Sequence, residues 1–383
     1  MRRILVTGAT GTIGAELVRR LVRDGWQVGC LVRGRDGRRP AARLEALFGP
    51  LAARLEPLEG DLLQPCLGLD PRWLRGQRGR FAAAVHAAAS ISFDDRKRQL
   101  IWAANRDGTR HFTEAALRLG VPRVHAVSTA YVAGDAPWFA EHDLDVGQQS
   151  RNAYEASKKA AEEILWAAFG ERLQVLRPSI VVGDSRTGRI EDFEGFYNAA
   201  RAVQRIVTGL AVQPILPDGI HRRQGRLVVP LTLRAAAAAR LNLVPIDWVV
   251  ETMAALIGAG RTGQCCHLTH ATPVGIDVVL AAVAEHFGIA GLAAAGDPPP
   301  AGRSPCLGRL QRRLDAALRN YRPYLASDTV FTGDNAARLL GARYAPPPRV
   351  DGPMLRRLLA YASDVDWRGA GRGAVVADLA VGA

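Results

Sequence analysis

Apolar positions in the first 180 residues alternate between short continuous runs and longer stretches with helical spacing. Arg3–Thr7 and Gln27–Val32 have the length and apolar content of buried strands. Amphipathic stretches such as Ile13–Arg23, Ile101–Leu119 and Tyr154–Phe169 predict helices. The remaining predicted elements are a helix over residues 44–55 and strands at Leu55–Glu59, Ala82–His86, Arg123–Ser128 and Leu173–Arg177. Strands separated by such helices form βαβ units, so the sequence predicts an α/β fold, a Rossmann-type doubly wound parallel sheet.

The pattern changes after Val182. Residues 183–226 are rich in Gly, Arg and aromatic side chains, and later helical stretches lack the regular alternation with strands. We therefore predict a first domain over residues 1–182 and a smaller C-terminal lobe over residues 183–383. The chain is expected to return to the sheet near residues 242–250.

Composition narrows the class of protein. Of the 383 residues, 48% are hydrophobic and 23% charged, which is ordinary for a globular chain with a core. Arginines interrupt the apolar runs, so we expect no membrane-spanning segment. The net charge is +13, but the arginines are scattered along the sequence without interleaved aromatic residues, which predicts no nucleic-acid partner. The five cysteines lack CxxC spacing, so we expect free thiols, no metal site and a cytoplasmic location.

A glycine-rich turn follows the first predicted strand and opens the first helix. Its spacing is GxxGxxG, and a helix N-terminus in this position is suited to a dinucleotide pyrophosphate. One glycine allows the tight turn, the next lets backbone N–H groups approach phosphates, and the last lets helix and strand pack closely. The expected contact residues are Gly8, Thr10, Gly11, Thr12, Ile13 and Gly14.

The end of the second strand indicates which dinucleotide is bound. An acidic residue there would accept hydrogen bonds from the ribose hydroxyls of NAD. This chain has Arg33 instead, with Arg43 in the following helix. Guanidinium groups suit a 2′-phosphate, so we predict NADPH as the cofactor.

Tyr154 and Lys158 lie four residues apart, on one face of a predicted helix. A neighbouring ammonium favours a phenolate, so we expect Lys158 to lower the pKa of Tyr154. Ser128 and Thr129 end a strand 25 residues upstream of Tyr154. Hydroxyl, phenol and ammonium are therefore expected together at the carboxyl ends of adjacent strands.

These motifs together resemble the extended short-chain dehydrogenase/reductase superfamily over some 250 residues. They occur in order as the glycine motif, His86-Ala87-Ala88-Ala89, Asn105-x-x-Gly108-Thr109, Ser128-Thr129, Tyr154-x-x-x-Lys158 and Arg177-Pro178. Within the superfamily, other stretches resemble the thioester-reductase and fatty-acyl reductase branch. They include Leu31-Val32-Arg33, Gly60-Asp61-Leu62, Val182-Gly183-Asp184-Ser185-x-Thr187-Gly188 and Asn242-Leu243-Val244-Pro245.

The resemblance implies roles for single residues. Thr129, Tyr154 and Lys158 would be catalytic, and Ser128 is the neighbour that could replace Thr129. Tyr154 and Lys158 would also contact the cofactor. The other implied cofactor contacts are Asp61 and Leu62 at the adenine, Ala87 and Ala88 along the ribose path, Asn105 at a backbone kink or water, and Pro178.

The implied activity is NADPH-dependent reduction of an acyl thioester, carried on CoA or on an acyl carrier protein, to an aldehyde or further to an alcohol. Residues 1–182 would bind NADP and residues 183–383 the substrate. Phe193, Phe196 and Tyr197 are expected to line an apolar channel for the acyl chain, whereas the apolar run Ala199–Leu216 could equally pack in the core. His221–Arg223 with Arg226 would dock an acidic carrier domain, or else form an ordinary surface loop.

Two alternatives remain open. A hydroxyl or ketone oxidoreductase, or an epimerase, acting on a nucleotide sugar or sterol-like alcohol would use the same three catalytic residues. A redox-sensing or scaffold protein that binds the dinucleotide without catalysis would have no need for them.

Replacement of Arg33 tests the cofactor preference. Arg33→Ala should weaken NADPH binding by about 1.5–3 kcal/mol, the range for hydrogen bonds to charged groups. NADH binding should hardly change, because NADH has no 2′-phosphate. Titration of both cofactors against both proteins measures this; an equal loss for the two would show that Arg33 does not contact the 2′-phosphate.

Overall fold

The computed structural model describes residues 2–368 except 36, 237, 297–303 and 327–328. In chain order the strands are β1 (Arg3–Thr7), β2 (Gln27–Val32), β3 (Leu55–Glu59), β4 (Ala83–His86), β5 (Val124–Val127), β6 (Trp138–Ala140), β7 (Leu173–Pro178), β8 (Ile180–Val182), β9 (His221–Arg223), β10 (Arg226–Arg234), β11 (Arg240–Leu241), β12 (Leu243–Pro245), β13 (Gln264–Leu268), β14 (Val274–Gly275), β15 (Ile289–Ala295) and β16 (Val330–Thr332).

The helices connect these strands. They are α1 (Thr12–Arg23), α2 (Pro40–Phe48), α3 (Pro71–Gly76), α4 (Arg98–Trp102), α5 (Gly108–Arg118), α6 (Ala153–Phe169), α7 (Phe196–Ala211), α8 (Ile246–Ala259), α9 (Ile276–His286), α10 (Pro305–Leu318), α11 (Arg322–Leu325), α12 (Asn335–Leu340) and α13 (Gly352–Asp364).

The chain forms two compact units, each assembled from separate stretches of sequence. The first comprises residues 1–179, 246–269 and 329–347, and the second comprises 180–245, 270–328 and 348–383, as far as these are described. The predicted assignment of residues 1–182 to the nucleotide and 183–383 to the substrate stays a prediction.

A seven-stranded parallel sheet forms the centre of the first unit, in the order β13-β7-β5-β4-β1-β2-β3. Strands β1, β4 and β5 lie in its middle, where residues such as Ile4, Leu5 and Val85 are completely buried. Their largely apolar sequences reflect burial on both faces, which is typical of parallel sheets. This doubly wound arrangement confirms the predicted fold class.

Two predicted helices differ from the structure. The helix expected over residues 44–55 ends at Phe48, where Gly49 adopts φ 54° and Pro50 follows. A 3₁₀ turn then runs over Gly49–Arg54. The helix expected over 101–119 contains a π-helical turn at Ala103–Asp107 between α4 and α5. The spacing of apolar residues does not predict this wider π-helical turn, because the turn is accompanied by contacts with a distant segment of the chain.

The chain returns to the first unit through α8, which packs against α1. The strand that joins the sheet is β13, which pairs with β7 from Gln264↔Gln174 to Leu268↔Pro178. The predicted return at residues 242–250 therefore corresponds to β12 and the start of α8, and β12 pairs with β8 in the second unit.

The second unit contains the three-stranded sheet β15-β10-β9 and the two-stranded pairs β11-β14 and β12-β8. Its core includes Leu314 of α10 and Leu355 and Leu358 of α13, all with at most 1% exposure. All five cysteines are free thiols. Within the described part of the chain, no helix has both the length and the apolar character needed to cross a membrane.

The turn between β1 and α1 depends on close backbone packing. Gly8 has φ 73°, and a Cβ there would lie 2.5 Å from the Ala88 nitrogen. A Cβ on Gly14 would lie 2.0 Å from the Gly8 carbonyl oxygen. No side chain fits at either position without moving backbone, which explains two of the three glycines in the motif.

Gly14→Ala should therefore destabilise the protein by about 1–3 kcal/mol or more, the cost of overpacking. Gly258→Ala is the matched control, because Gly258 is exposed within α8 and an added Cβ meets nothing within 4 Å. That change should stabilise by about 0.5–1 kcal/mol through helix propensity. Urea unfolding measures both, and equal effects would contradict the packing argument.

Candidate active site

The N-terminus of α1 has the features of an anion site. Gly11 caps the helix without a side-chain hydrogen bond, and the first turn contains no acidic residue. Residues Thr10–Ile13 are partly exposed. Unsatisfied N–H groups at such a helix start favour phosphate. The predicted glycine-turn residues therefore fit a dinucleotide pyrophosphate.

Arg33, Arg43 and Asp61 meet where β2 and β3 end. Arg43 Nη1 donates to the Arg33 carbonyl oxygen at 2.6 Å. Arg33 Nη1 lies 3.8 Å from Asp61 Oδ2, and the Arg33 side chain is 54% exposed. The structure thus brings the two predicted arginines together, with the Arg33 guanidinium accessible to a phosphate.

Three further residues predicted to contact the cofactor lie near the carboxyl ends of the strands; they are Ala87, Ala88 and Leu62. The Ala87 N–H donates to the Thr7 carbonyl at 3.3 Å, which seats the segment after β4 against the glycine turn. The Ala88 N–H donates to Thr7 Oγ1 at 3.4 Å. Leu62 fills the space above Gly108, where a Cβ would lie 2.5 Å from Leu62 Cγ.

A buried series of hydrogen bonds, which was not predicted from the sequence, links the carboxyl ends of β1 and β4 to α5. Thr7 Oγ1 lies 2.9 Å from His86 Nδ1, and His86 Nε2 lies 3.0 Å from Thr109 Oγ1. Thr109 Oγ1 in turn donates to the Asn105 carbonyl at 2.5 Å. Burial, and to a lesser extent the charge of Lys158, lowers the pKa of His86 to about 3. His86 is therefore neutral and connects β1, β4 and α5 rather than acting as a base.

Asn105 lies in the π-helical turn and is buried. Its Oδ1 accepts from the Ser90 N–H at 2.7 Å, while Nδ2 donates to the Ser90 carbonyl at 3.0 Å and to Ser157 Oγ at 2.9 Å. Ser157 Oγ donates to the Tyr154 carbonyl at 2.8 Å. Asn105 thus joins the loop after β4 to the helix turn that carries Tyr154.

The Thr129 side chain acts on the Tyr154 phenol and favours its ionised form. Thr129 ends the segment after β5, and its Oγ1 accepts from the Tyr131 N–H at 3.2 Å. Phe93 covers the Tyr154 ring, with 5.3 Å between ring centroids. Burial raises the pKa of Tyr154 to about 12, and the Thr129 side chain opposes this rise.

Lys158 is buried one helical turn after Tyr154 and donates from Nζ to the Val127 carbonyl at 2.8 Å. Burial lowers the pKa of Lys158 to about 8, and the negative charge of Glu162 opposes this fall. The expectation that Lys158 lowers the pKa of Tyr154 differs from the structure. The ammonium is directed to a backbone carbonyl, and desolvation of the phenol dominates, so Tyr154 is a neutral donor at pH 7.

Glu162 also fixes the helix against the sheet. Its carboxylate accepts from Arg177 Nε at 3.0 Å and Nη2 at 2.7 Å, and both side chains are 1% exposed. Arg177 Nη2 donates in addition to the Asp143 carbonyl at 2.8 Å. The Arg-Pro motif therefore supplies a buried ion pair behind the catalytic helix, and Pro178 ends β7 beside it.

Ser128 is also buried, and its Oγ has no hydrogen-bond partner among the described residues. Its N–H donates to the Leu176 carbonyl at 2.8 Å, so the backbone is held within the sheet. The choice of Thr129 over Ser128 as the catalytic hydroxyl stays a prediction.

The aromatic segment of the second unit packs in its core. Phe193, Phe196 and Tyr197 are at most 7% exposed, and Phe193 packs edge-on against Tyr197 and Trp367. Tyr197 also accepts from the Gly183 N–H through its hydroxyl at 2.9 Å. The expected apolar channel along these rings is therefore wrong, because their faces are used to stabilise the unit.

Comparison with known proteins gives a matching family, related sequences and a related fold. The profile of an NAD-binding family described as male sterility protein matches residues 6–253. Isonitrile lipopeptide synthase of Streptomyces coeruleorubidus is 32% identical over 214 residues, which cover 52% of this chain and 14% of that protein. Carboxylic acid reductase of Segniliparus rugosus is 26% identical over 292 residues, covering 69% and 23%. The chain thus spans less than a quarter of these curated relatives.

A solved structure shares the fold over nearly the whole chain. The terminal R domain from the myxalamid PKS-NRPS biosynthetic pathway has a TM-score of 0.72 and 24% identity. The similarity covers 97% of this chain and 92% of that domain.

The hydroxyl assignment is tested by two neighbouring variants. Thr129→Val should lower kcat by roughly a hundredfold or more, the effect of removing one oxyanion donor. Ser128→Ala should cost less, because Ser128 Oγ does not bond Tyr154. Steady-state kinetics with saturating cofactor compares the two, and a larger loss for Ser128→Ala would assign the catalytic hydroxyl to Ser128.

Loss of the Lys158 proton should determine how enzyme activity falls at alkaline pH. Its pKa lies below the ordinary value, so the ammonium is present below about pH 8 and is lost as pH rises through that value. Activity should therefore fall above about pH 8, while Tyr154 remains protonated. Lys158→Arg keeps a positive charge and should move this limb to higher pH; an unchanged limb would assign it to another group.

Proposed function

Because this chain belongs to the male sterility protein family, we propose that it reduces an acyl thioester to an aldehyde with NADPH. The family places it among extended short-chain dehydrogenase/reductase oxidoreductases of the thioester reductase type, which bind a nicotinamide cofactor. The carboxylic acid reductase among its relatives supports a substrate at the oxidation level of an acid.

The residues of the first unit are suited to holding NADPH. The α1 N-terminus would bind the pyrophosphate, and Arg33 with Arg43 would bind the 2′-phosphate. Ala87 and Ala88 would border the ribose path, and Asp61 with Leu62 would contact the adenine. Lys158 would hold the ribose hydroxyls next to the nicotinamide. The bound cofactor supplies a hydride.

Thr129 and Tyr154 would act on the carbonyl oxygen of the thioester. As the carbonyl carbon gains the hydride, negative charge develops on that oxygen, and both hydroxyls would hydrogen-bond it. Tyr154 then gives its proton to the oxygen, acting as a general acid. Cleavage of the carbon–sulfur bond releases an aldehyde and a thiol, and the phenolate regains a proton from solvent.

The family match over residues 6–253, with Thr129 after β5 and Tyr154 and Lys158 on α6, is the observation that carries this proposal. Reduction begins with a protonated phenol, which is the state that burial stabilises here. An epimerase or alcohol dehydrogenase begins by removing a proton from a substrate hydroxyl, which needs the phenolate. The same site therefore favours reduction of a carbonyl group over oxidation of a hydroxyl, and the similarity to the thioester reductase type favours a thioester over a ketone.

Incubation with NADPH and a medium-chain acyl thioester tests the proposal. Free thiol and aldehyde should form in step with NADPH oxidation, and Tyr154→Phe should abolish the reaction while still binding NADPH. A secondary alcohol with NADP⁺ is the comparison substrate. Reduction of NADP⁺ by that alcohol, without turnover of any thioester, would replace the proposal with the dehydrogenase alternative.

A further inference from the structure

The second unit gathers arginines from two distant segments of the sequence. The turn region 221–226 and the helical region 305–321 contain seven arginines and one acid, Asp315, so together they carry +6 of the chain's net +13. The arginines are Arg222, Arg223, Arg226, Arg309, Arg312, Arg313 and Arg319. Along the sequence they look scattered, but the fold places them together.

Both segments lie along the same edge of β10. One edge of this strand pairs with β15 as far as Arg234. On the other edge, β9 pairs with Arg226–Val228. Farther along, Gln311 of α10 accepts from the Thr232 N–H at 2.9 Å and donates to the Thr232 carbonyl at 2.8 Å. Because the first edge is occupied by β15, α10 must lie on the same side as β9.

The arginines face solvent. Helix α10 buries Gly308, Leu310, Leu314 and Leu318, which leaves its arginines on the outer face. All seven are exposed, and none forms an ion pair with a described residue. Asp315 does not neutralise them, because it lies 3.4 Å from Arg234 and accepts from Gln311.

Apolar side chains border these charges. Val212 and Ile215 are 79% and 83% exposed in the loop between α7 and β9. The same loop approaches the first turn of α10, since a Cβ on Gly219 would lie 2.6 Å from Leu307 Cδ1. We define the basic edge as the seven arginines with Val212 and Ile215.

The size of the basic edge indicates the kind of ligand. Leu227 and Thr232 are separated by about 17 Å of strand, and Arg309 and Arg319 by about 15 Å of helix. One nucleotide phosphate would contact only a small part of this surface. The dimensions suit a face of a folded domain, for which about 800 Å² per partner is usual.

We propose that the basic edge docks an acidic carrier domain, a protein of net negative charge that presents the acyl thioester on a pantetheine arm. The inference rests on the proposed thioester reduction and selects a protein-borne donor over CoA. Opposite charges raise the rate of encounter and fix orientation, and Val212 with Ile215 provide apolar contact at the border.

The experiment compares one acyl group on three carriers: an acidic acyl carrier protein, CoA and N-acetylcysteamine. The variants are Arg222→Glu with Arg223→Glu, and Arg312→Glu with Arg313→Glu. The control is Arg72→Glu with Arg75→Glu, two exposed arginines of α3 in the first unit. Each double variant changes the net charge by the same amount, so total charge is matched.

Both basic-edge variants should lower kcat/KM for the carrier-protein thioester about tenfold or more. N-acetylcysteamine thioester turnover should stay within about twofold, and the control should resemble the unaltered protein. For the unaltered protein, added salt should reduce kcat/KM for the carrier-protein substrate, and the variants should be less sensitive.

Several results would overturn the proposal. Equal losses with N-acetylcysteamine would indicate a structural role, and equal losses in the control would indicate total charge. A loss confined to acyl-CoA would assign the arginines to CoA phosphates. Binding to anionic phosphatidylserine vesicles or to DNA through the same arginines, without an effect on the carrier substrate, would assign another partner.

A direct binding measurement distinguishes failure of the docking proposal from failure of the proposed reaction. Titration of unacylated carrier protein against the unaltered protein and the variants reports docking without turnover. If no thioester is reduced but the carrier binds through the basic edge, the reaction is wrong and the docking surface stands. Carrier binding that is unaffected by the arginine substitutions would overturn the docking surface.

Discussion

The ion pair between Glu162 and Arg177 is the interaction on which the catalytic arrangement depends. Two side chains that are 1% exposed join α6 to β7, and leaving either charge without its partner typically costs about 3–5 kcal/mol. Glu162 lies one turn after Lys158 on the same helix, where its charge keeps the Lys158 pKa from falling further. A single carboxylate therefore both holds the helix in place and favours the charged form of Lys158.

Partial burial of the Tyr154 phenol also affects the chemistry of the site. Phe93 covers the Tyr154 ring, and Asn105 and Ser157 fix the helix turn beneath it. These contacts make the Tyr154 phenol a weaker acid and do not activate it as a base. The site consequently favours the protonated form of the Tyr154 phenol.

The local parts of this fold and site could be predicted from the sequence. Strands β1 and β2 follow largely apolar runs, and Tyr154 and Lys158 share a helix face because their spacing is one turn. Contacts between distant segments could not be predicted in this way. The π-helical turn accompanies the bonds between Asn105 and Ser90, and the Tyr154 pKa depends on burial. The arginines of the basic edge meet only because Gln311 covers the free edge of β10.

The path of the chain has a consequence for dissecting the protein. The first unit is completed by α8 and β13, which follow a long stretch assigned to the second unit, and then by residues 329–347. A fragment ending at Ser179 would lack β13 and leave β7 as an open strand edge, whose unpaired N–H and C=O groups invite aggregation. Gene truncation at the apparent end of the nucleotide-binding motifs should thus yield an insoluble product, whereas replacing residues 180–245 by a short linker keeps every strand of the central sheet.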